Sequence, residues 1–380
     1  MMMRDRFSLQ RTLAIFVKEF QQMLRDRLTF AMALGVPIMQ LVLFGYAINT
    51  DPKGLPTAIV AIDTGPQARA FSAALQNSGY FRITHQPGSE AQADALIESG
   101  EVQFMVAIPS DFSQRVVRGE RPAILVAVDG TDPSASGNAI AALGQLANQA
   151  LVHELTGPLG ALQPGAPPFE LRIHRRYNPE GLSRYNIVPG LIGTILTMTM
   201  VMLTGLAMTR ERERGTMENL LATPVRPFEV MLGKIAPYIV IGYVQLGVIL
   251  LAAWALFEVP MVGSFTLLMA MIGLFMLANL AVGFTFSTLA QNQLQAMQMT
   301  FFFFLPSMLL SGFMFPFRGM PVWAQWLGEV LPLTHFLRIV RGIMLKGNGA
   351  GQLLPELWPM LAFLIVAGAV ALARYRQTLD

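Results

Sequence analysis

The sequence predicts a polytopic α-helical membrane protein, with six transmembrane helices and an α/β extracytoplasmic domain between helices 1 and 2. Hydrophobic residues make up 53% of the 380 residues and charged residues only 13%. Soluble domains carry about 25% charged residues, so roughly half of the usual charge is missing. Charge is dense in residues 49–184 and almost absent from 185–209 and 235–317. This distribution indicates membrane-spanning helices and one large aqueous domain.

Several classes of protein and site are excluded by composition. The net charge of +3 is small and no basic run is interleaved with aromatic residues, so a nucleic-acid partner is not expected. The sequence has no cysteine and four scattered histidines, which offers neither a disulfide framework nor a metal or Ser/His/Asp site. We therefore expect no catalytic residues, no metal and no cofactor bound by this chain. Residues 1–27 also lack the pattern of a cleavable signal peptide.

The spans follow from stretches of about 20 mostly apolar residues, the length that crosses the hydrocarbon core. Residues 259–317 contain no Asp, Glu, Lys, Arg or His, which is too long for one crossing, so we divide them at the glutamine-rich patch 291–298. The last span is closed by Arg374 and Arg376. The six predicted spans are 28–48, 185–209, 235–257, 264–289, 297–316 and 357–373.

The orientation follows from lysine and arginine in the short flanks of the spans. With both termini inside, the cytoplasmic flanks hold six such residues in 1–27, five in 210–234 and two at the C-terminus, against four in the outer segment 318–356. Residues 1–27 also place Leu9, Leu13, Phe16, Phe20 and Leu24 on one helical face. The sequence thus predicts cytoplasmic termini and an amphipathic cytoplasmic helix at 1–27.

Residues 49–184 have the composition of a soluble α/β domain. Short β-branched runs predict strands at 56–62, 102–108 and 123–128, and a Gly/Pro-rich linker is predicted at 157–168. Between the strands, helical patterns occur at 65–78, 89–99, 110–118 and 134–156. Four arginines before the second span either form a solvated basic edge or attract anionic headgroups or a partner: Arg172, Arg175, Arg176 and Arg184.

The outer segment 317–347 is both basic and apolar. We expect a re-entrant or interfacial helical pair, because irregular backbone at membrane depth must be buried in protein or face water. An interfacial loop with a tryptophan belt at Trp323 and Trp326 is the alternative.

The loop 210–234 carries the most informative motif. Thr216 suits an N-cap, Glu218 lies in the first turn, where the helix dipole favours an acid, and Pro224 ends the helix. The motif predicts a short, rigid, charged helix beneath the bilayer that could enter a cleft of a cytosolic protein. The alternative is an anchoring loop that follows the positive-inside rule.

The run ERGTMENLLATP at 213–224 resembles the corresponding loop of ABC-2 type permeases, the membrane subunits of exporters related to the drug- and lipid-exporting ABC subfamilies. Residues 17–27 resemble the amphipathic N-terminal helix of that family, and LFGYA at 43–47 resembles the end of its first span. LPLTHF at 331–336 resembles its outer re-entrant segment. The resemblance covers nearly the whole chain.

The resemblance implies a set of site residues. The helix at 216–223 would be the coupling helix that docks on the ATPase, and the N-terminal helix would add a second contact through Lys18, Glu19 and Arg25. The outer re-entrant segment would use Pro332, Thr334, Arg338 and Arg341. The implied coupling residues are Glu213, Gly215, Thr216, Met217, Glu218, Leu220, Leu221, Thr223 and Pro224.

The expected function is that of an exporter permease in the bacterial inner membrane. The sequence contains no G-x-x-x-x-G-K-[ST] loop, so ATP and Mg would be bound by a separate ATPase subunit. Further expected partners are a second permease copy or homologue, membrane lipid and a periplasmic adaptor. Ionisable residues are nearly absent from the spans, which argues against a proton-coupled transporter and favours drug- or lipid-like amphipathic or apolar cargo. A non-transporting scaffold or receptor that uses the α/β domain is the alternative; a membrane-embedded enzyme lacks a catalytic constellation.

Overall fold

The computed structural model describes residues 52–151, 167–213 and 227–374. The predicted N-terminal helix at 1–27, the first span at 28–48 and most of the predicted coupling loop lie outside these residues. The described chain forms an α/β domain followed by long apolar helices.

The α/β domain is built on a five-stranded mixed sheet. Its strands are β1 (Leu55–Ala61), β2 (Phe81–His85), β3 (Phe104–Ile108), β4 (Ala123–Asp129) and β5 (Glu170–Arg176). They lie in the order β2-β1-β3-β4-β5. All neighbours are parallel except β3 and β4, which are antiparallel. Every residue of the central strand β3 is buried, as expected for a strand covered on both faces.

Helices cover the two faces of this sheet. They are α1 (Pro66–Asn77), α2 (Glu90–Ser99), α3 (Phe112–Val117) and α4 (Pro133–Gln149). Helices α1, α3 and α4 pack on one face around Phe71, Phe112 and Leu143. Helix α2 packs on the other face, where small side chains such as Ala58 and Ala107 let it approach closely.

The three predicted strands are present as β1, β3 and β4, whereas β2 and β5 were not predicted. Strand β5 contains Arg172, Arg175 and Arg176, and its charge hides the alternation that identifies a strand. The Nη2 atom of Arg176 donates to both carboxylate oxygens of Asp94, at 2.7 and 2.9 Å. Arg176 is therefore paired with Asp94 of α2, although both side chains stay partly exposed, at 42% and 40%.

Four described helices are long and apolar enough to cross a membrane. These are α5 (Ser183–Glu213), α6 (Pro227–Ala255), α7 (Phe265–Leu289) and α11 (Ala350–Arg374). They coincide with the predicted spans 185–209, 235–257, 264–289 and 357–373. The last helix begins seven residues earlier than predicted and includes Pro355 and Pro359.

The predicted fifth span at 297–316 corresponds to the shorter helix α8 (Gln293–Leu310), which is not one of these four. The Oδ1 atom of Asn292 accepts a hydrogen bond from the Gln295 N–H at 2.8 Å and so caps the start of α8. Its far end is followed by Gly312, whose φ of 83° is left-handed. The glutamine patch is therefore mostly helical, and the turn before it is shorter than predicted.

The outer segment forms two short helices, α9 (Val322–Val330) and α10 (Pro332–Arg341), followed by a π-helical turn, Gly342–Lys346. Helix α10 is buried along most of its length. Its Phe336 stacks on Phe275 of α7, with ring centroids 4.0 Å apart. The predicted helical pair is present, and α10 belongs to the core of the helical part.

Glycines let the long helices approach one another. A Cβ on Gly193 would lie 2.7 Å from a methyl carbon of Leu333, and a Cβ on Gly283 would lie 2.6 Å from the Val201 carbonyl oxygen. Small residues are common where membrane helices pack closely. Helices α6 and α11, in contrast, leave most of their apolar surface uncovered, as expected for surfaces that face lipid.

Candidate functional site

Helix α5 connects two polar regions at opposite ends of the helical part. It contains 31 residues and is therefore about 45 Å long. Its first turn lies beside the α/β domain, and its last residue, Glu213, lies in the predicted coupling loop 210–234. These two ends define the candidate site.

At the far end, Glu213 binds the start of α8. Its carboxylate accepts hydrogen bonds from the backbone N–H of Gln293, at 2.7 Å, and from the side-chain amide of the same residue. The side-chain bond and then the backbone bond hold the pKa of the Glu213 carboxyl below its usual value. The start of α8 is thus tied to Glu213, the first of the predicted coupling residues.

The other predicted coupling residues lie outside the described residues, as do Lys18, Glu19 and Arg25. They are Gly215, Thr216, Met217, Glu218, Leu220, Leu221, Thr223 and Pro224. Their roles stay predictions.

At the opposite end, Pro332 and Thr334 shape the turn between α9 and α10. Pro332 is the first residue of α10, a position that needs no N–H donor. The hydroxyl of Thr334 donates to the Gly328 carbonyl oxygen at 2.6 Å, which fixes the end of α9. Both residues are buried, so their role in the structure is to set the angle between the two helices.

Arg338 belongs to a cluster that joins α9, α10 and α11. Its guanidinium bridges Glu329 at 2.6 Å and Glu356 at 3.2 Å. His335 contacts the Glu356 carboxylate through Nδ1 at 2.6 Å and the Glu329 carbonyl oxygen through Nε2 at 2.8 Å. His335 therefore links the end of α9 to Glu356 of α11.

Lys346 joins the helical part to the α/β domain. Its ammonium group lies 2.6 Å from an Asp129 carboxylate oxygen and donates to the Ile97 carbonyl oxygen at 3.0 Å. The two side chains are only 8% and 13% exposed. A buried pair of this kind depends on its geometry and on additional hydrogen bonds, and the carbonyl at the end of α2 supplies one.

Further contacts surround this pair at the end of α2. The Glu98 carboxylate accepts from the Gln352 amide at 2.7 Å, and the Glu98 carbonyl oxygen accepts from the Asn348 amide at 3.3 Å. Arg318 donates to the Gly100 carbonyl oxygen at 3.0 Å. Donors from the helical part therefore meet the carbonyl end of α2, where the helix dipole favours positive charge.

Asn186, in the first turn of α5, binds both parts of the protein at once. Its amide nitrogen donates to the Thr131 carbonyl oxygen at 3.1 Å, and its amide oxygen accepts from Arg341 Nη2 at 3.0 Å. The same guanidinium reaches the Gly312 carbonyl oxygen at 3.4 Å. The α/β domain, α5 and α10 therefore meet at one buried amide.

Tyr177 lies in the short connection from β5 to α5. Its φ of 64° is left-handed, and its ring lies 5.3 Å from the Lys346 ammonium group, within range of a cation–π contact. Burial first, and then the carboxylates of Asp129 and Glu98, raise the pKa of Tyr177 to about 12. The phenol is neutral near pH 7 and packs against both parts of the protein.

The junction between the two parts encloses a polar cavity of about 370 Å³. Its lining includes Arg338 and Arg341, which were predicted, together with residues that were not. Asp129 and Lys346 come from segments that are 217 residues apart. Among the described residues, no group of His, Cys, Asp and Glu has a metal-binding arrangement. The lining offers hydrogen-bond donors and acceptors together with charges of both signs.

Comparison with known proteins identifies the family. The family model described as "ABC-2 family transporter protein" matches residues 27–373. The chain is 30% identical over 365 residues to the probable multidrug ABC transporter permease YbhS of Escherichia coli K12, covering 96% of this chain and 94% of that protein. It is 28% identical over 361 residues to the probable multidrug ABC transporter permease YbhR of the same organism, covering 95% and 96%.

A solved structure, the crystal structure of a domain of a putative ABC type-2 transporter from Thermotoga maritima MSB8, is 24% identical and has a TM-score of 0.26. It covers 32% of this chain and 84% of its own. The resemblance of the chain to ABC-2 type permeases is confirmed by the match of the family model to residues 27–373. This membrane protein therefore belongs to the ABC-2 family of transporter proteins.

Proposed function

We propose that this chain is the permease subunit of an ATP-driven exporter in the bacterial inner membrane. Its relatives YbhS and YbhR carry the name of multidrug ABC transporter permeases, and four described helices have membrane-spanning length. In the proposed topology, α8 and the segment 28–48 bring the number of spans to six and both termini are cytoplasmic. ATP and Mg are bound by a separate ATPase subunit, and two permease copies or homologues form the transport path.

The observation that carries this proposal is the position of α5. Asn186, at one end of this helix, binds the α/β domain, while Glu213, about 40 Å away, lies in the predicted coupling loop. A helix of that length supports placing the domain outside the cell membrane and the loop in the cytoplasm. The domain would then cap the exit of the path or dock a periplasmic adaptor.

The same helix supports a mechanism. Closure of the ATPase subunits would press on the coupling helix at 216–223 and displace the end of α5. A continuous helix transmits this displacement to Asn186, and from there to Arg341 and Thr131. The outer ends of α5 and α10 would separate, and the path would open outward. The apolar surfaces of the spans suit amphipathic or apolar cargo.

Charge reversal in the coupling helix tests the proposal. We expect Glu218→Lys to reduce co-purification of the ATPase subunit and drug export at least tenfold, because the helix would then present the wrong charge to its partner. Arg172→Gln, in the exposed strand β5, is the matched control and should change neither measurement.

Unchanged ATPase binding and export in Glu218→Lys would contradict the coupling assignment. Detergent extracts that yield no ATPase with the unaltered chain would contradict the exporter itself and favour a scaffold or receptor.

A further inference from the structure

The chain has four tryptophans, and all four are exposed. Trp254, which ends α6, is 72% exposed, and Trp358, near the start of α11, is 67% exposed. Trp323 and Trp326 of α9 are 40% and 72% exposed. Tryptophan is enriched where lipid headgroups meet the hydrocarbon core, and these four residues all lie at the end of the helical part that adjoins the α/β domain. They mark the level of one membrane surface.

The cavity at the junction lies at this same level. Gln325, which lines it, is between the two tryptophans of α9, and Glu356, which also lines it, is two residues before Trp358. A lipid headgroup beside the protein would therefore be level with the cavity.

The two walls of the cavity carry different charge. The ionisable residues on the domain wall are all acids: Glu98, Asp129 and Asp132. The helical wall supplies all four cations, together with two glutamates that Arg338 bridges: Arg318, Arg338, Arg341, Lys346, Glu329 and Glu356.

After these pairings, four charged side chains remain without a salt bridge to a described residue. They are Arg318 and Arg341 on the helical wall, and Glu98 and Asp132 on the domain wall; Lys346 is paired with Asp129. Arg318 uses one of its five N–H donors, on the Gly100 carbonyl oxygen. Asp132 accepts from the N–H groups of Ser134 and Ala135 as the N-cap of α4. The cavity thus presents two cations facing two anions.

Three polar atoms of the lining residues are also buried without a hydrogen-bond partner among the described residues. They are Arg341 Nε, Gln103 Oε1 and Asn348 Oδ1. A buried donor or acceptor left unpaired costs about 1–3 kcal/mol, so both parts of the protein carry unused hydrogen-bonding capacity at this place.

We propose that the cavity binds a zwitterionic phosphate–amine headgroup of a lipid or lipid-like molecule from the outer leaflet. The phosphate binds Arg318 and Arg341, because the guanidinium fork matches phosphate oxygens. The ammonium group binds Glu98 and Asp132. Assignment of the lipid to the outer leaflet rests on the topology in the proposed function, whereas headgroup binding itself does not depend on ATP coupling.

Native mass spectrometry of the full chain in detergent tests this assignment with three lipids: phosphatidylethanolamine, phosphatidylglycerol and uncharged diacylglycerol. We expect phosphatidylethanolamine to be retained at least tenfold better than diacylglycerol, and severalfold better than phosphatidylglycerol. Arg341→Gln should weaken binding of both phospholipids about tenfold, a loss equal to about 1.4 kcal/mol, and Arg341→Lys should restore part of it.

Two acidic variants test the ammonium half of the site. Glu98→Gln can still accept from Gln352, and Asp132→Asn still suits the N-cap of α4, so both should fold. Each should weaken phosphatidylethanolamine binding several-fold and leave phosphatidylglycerol binding unchanged. Arg172→Gln, on β5 outside the cavity, is the control and should change neither.

Equal retention of all three lipids, or full binding by Arg341→Gln, would overturn the site. If phosphatidylglycerol binds better than phosphatidylethanolamine and Glu98→Gln leaves its binding unchanged, the cavity is only an anion site. That result would overturn the zwitterionic assignment. If soluble phosphoethanolamine binds as tightly as the intact lipid, the assignment of the ligand to a lipid of the membrane leaflet is overturned. If the unaltered chain retains none of the three lipids but co-purifies normally with the ATPase, this inference alone is rejected and the proposed function stands.

Discussion

Asp63 joins two segments of the α/β domain that are 50 residues apart. Its carboxylate accepts hydrogen bonds from the N–H of Ser113, in the first turn of α3, and from the N–H of Gly65 at 2.7 Å. Position 65 requires glycine because its backbone passes close to Ser113. A Cβ there would lie 2.2 Å from the Ser113 hydroxyl oxygen. Asp63 therefore acts as an N-terminal cap for α3 that comes from a distant loop.

We expect Asp63→Asn to lower the free energy of unfolding by about 1 kcal/mol at pH 7. Partial burial raises the pKa of this carboxyl, but the hydrogen bonds from Ser113 and Gly65 outweigh it, so the net pKa is lowered. The stabilisation is thus complete above the unfolded pKa of about 3.9 and is lost as the pH falls through the folded pKa. Thermal unfolding of the unaltered full chain and of Asp63→Asn in detergent, from pH 7 to pH 3, measures the effect. A difference that stays constant down to pH 3 would contradict the charge-based explanation.

At the scale of single residues, the sequence predicts which side chains belong to the site better than it predicts their partners. Arg338 and Arg341 stand out because they are charges set among the apolar residues of the outer segment. Asn186 and Glu356 do not stand out. An asparagine at the start of α5 and a glutamate near the start of α11 both have ordinary local explanations. Arg341 and Asn186 are 155 residues apart, and no local pattern relates them.

Helices α5 and α7 pack through Gly283. A Cβ at this position would lie 2.6 Å from the Val201 carbonyl oxygen and 2.9 Å from the Thr204 Cβ. These atoms belong to backbone and a β-branched side chain, so they cannot move aside easily.

We therefore expect Gly283→Ala to destabilise the protein by about 1–3 kcal/mol through overpacking, visible as a lower melting temperature in detergent. Gly247→Ala is the matched control. A Cβ there meets no atom within 4 Å, and alanine favours a helix more than glycine does. Equal melting temperatures for the two variants would contradict the close approach of α5 and α7.

Elements with strong periodicity or long apolar stretches could be predicted from the sequence, and elements stabilised by distant pairing could not. Spans α5, α6 and α7 needed only a count of apolar residues. Strand β5 depends on pairing with β4 along its whole length, and its arginines conceal that strand. The start of α11 was predicted seven residues too late, and the helix includes Pro355 near its beginning, where a proline removes few hydrogen bonds.

The α/β domain and the helical part are held together largely by buried polar contacts. The central one, Lys346 with Asp129, is nearly buried. Removing one partner leaves an uncompensated charge, which costs about 3–5 kcal/mol.

We expect Asp129→Asn and Lys346→Met each to loosen the junction strongly, and the double variant to be less affected than the sum of the two. Hydrogen exchange of residues 97–100 in the full chain measures the loosening, because Lys346 and Arg318 bind carbonyl oxygens there. Glu120→Gln, which removes an exposed pair with Arg115, is the control and should change stability by at most about 1 kcal/mol. Strictly additive effects of Asp129→Asn and Lys346→Met would show that the pair does not act as a unit.

The strand order also has a consequence for biosynthesis. Strand β2 forms beside β1, β3 adds to the free side of β1, β4 adds to β3, and β5 adds to β4. Each strand therefore pairs with one already made, and none has to be inserted between two strands that are already bonded. Chains emerge at about 5–20 residues per second, so the sheet can grow in one direction as the chain is synthesised. The domain can then be complete, with β5 closing its edge, before α5 enters the bilayer.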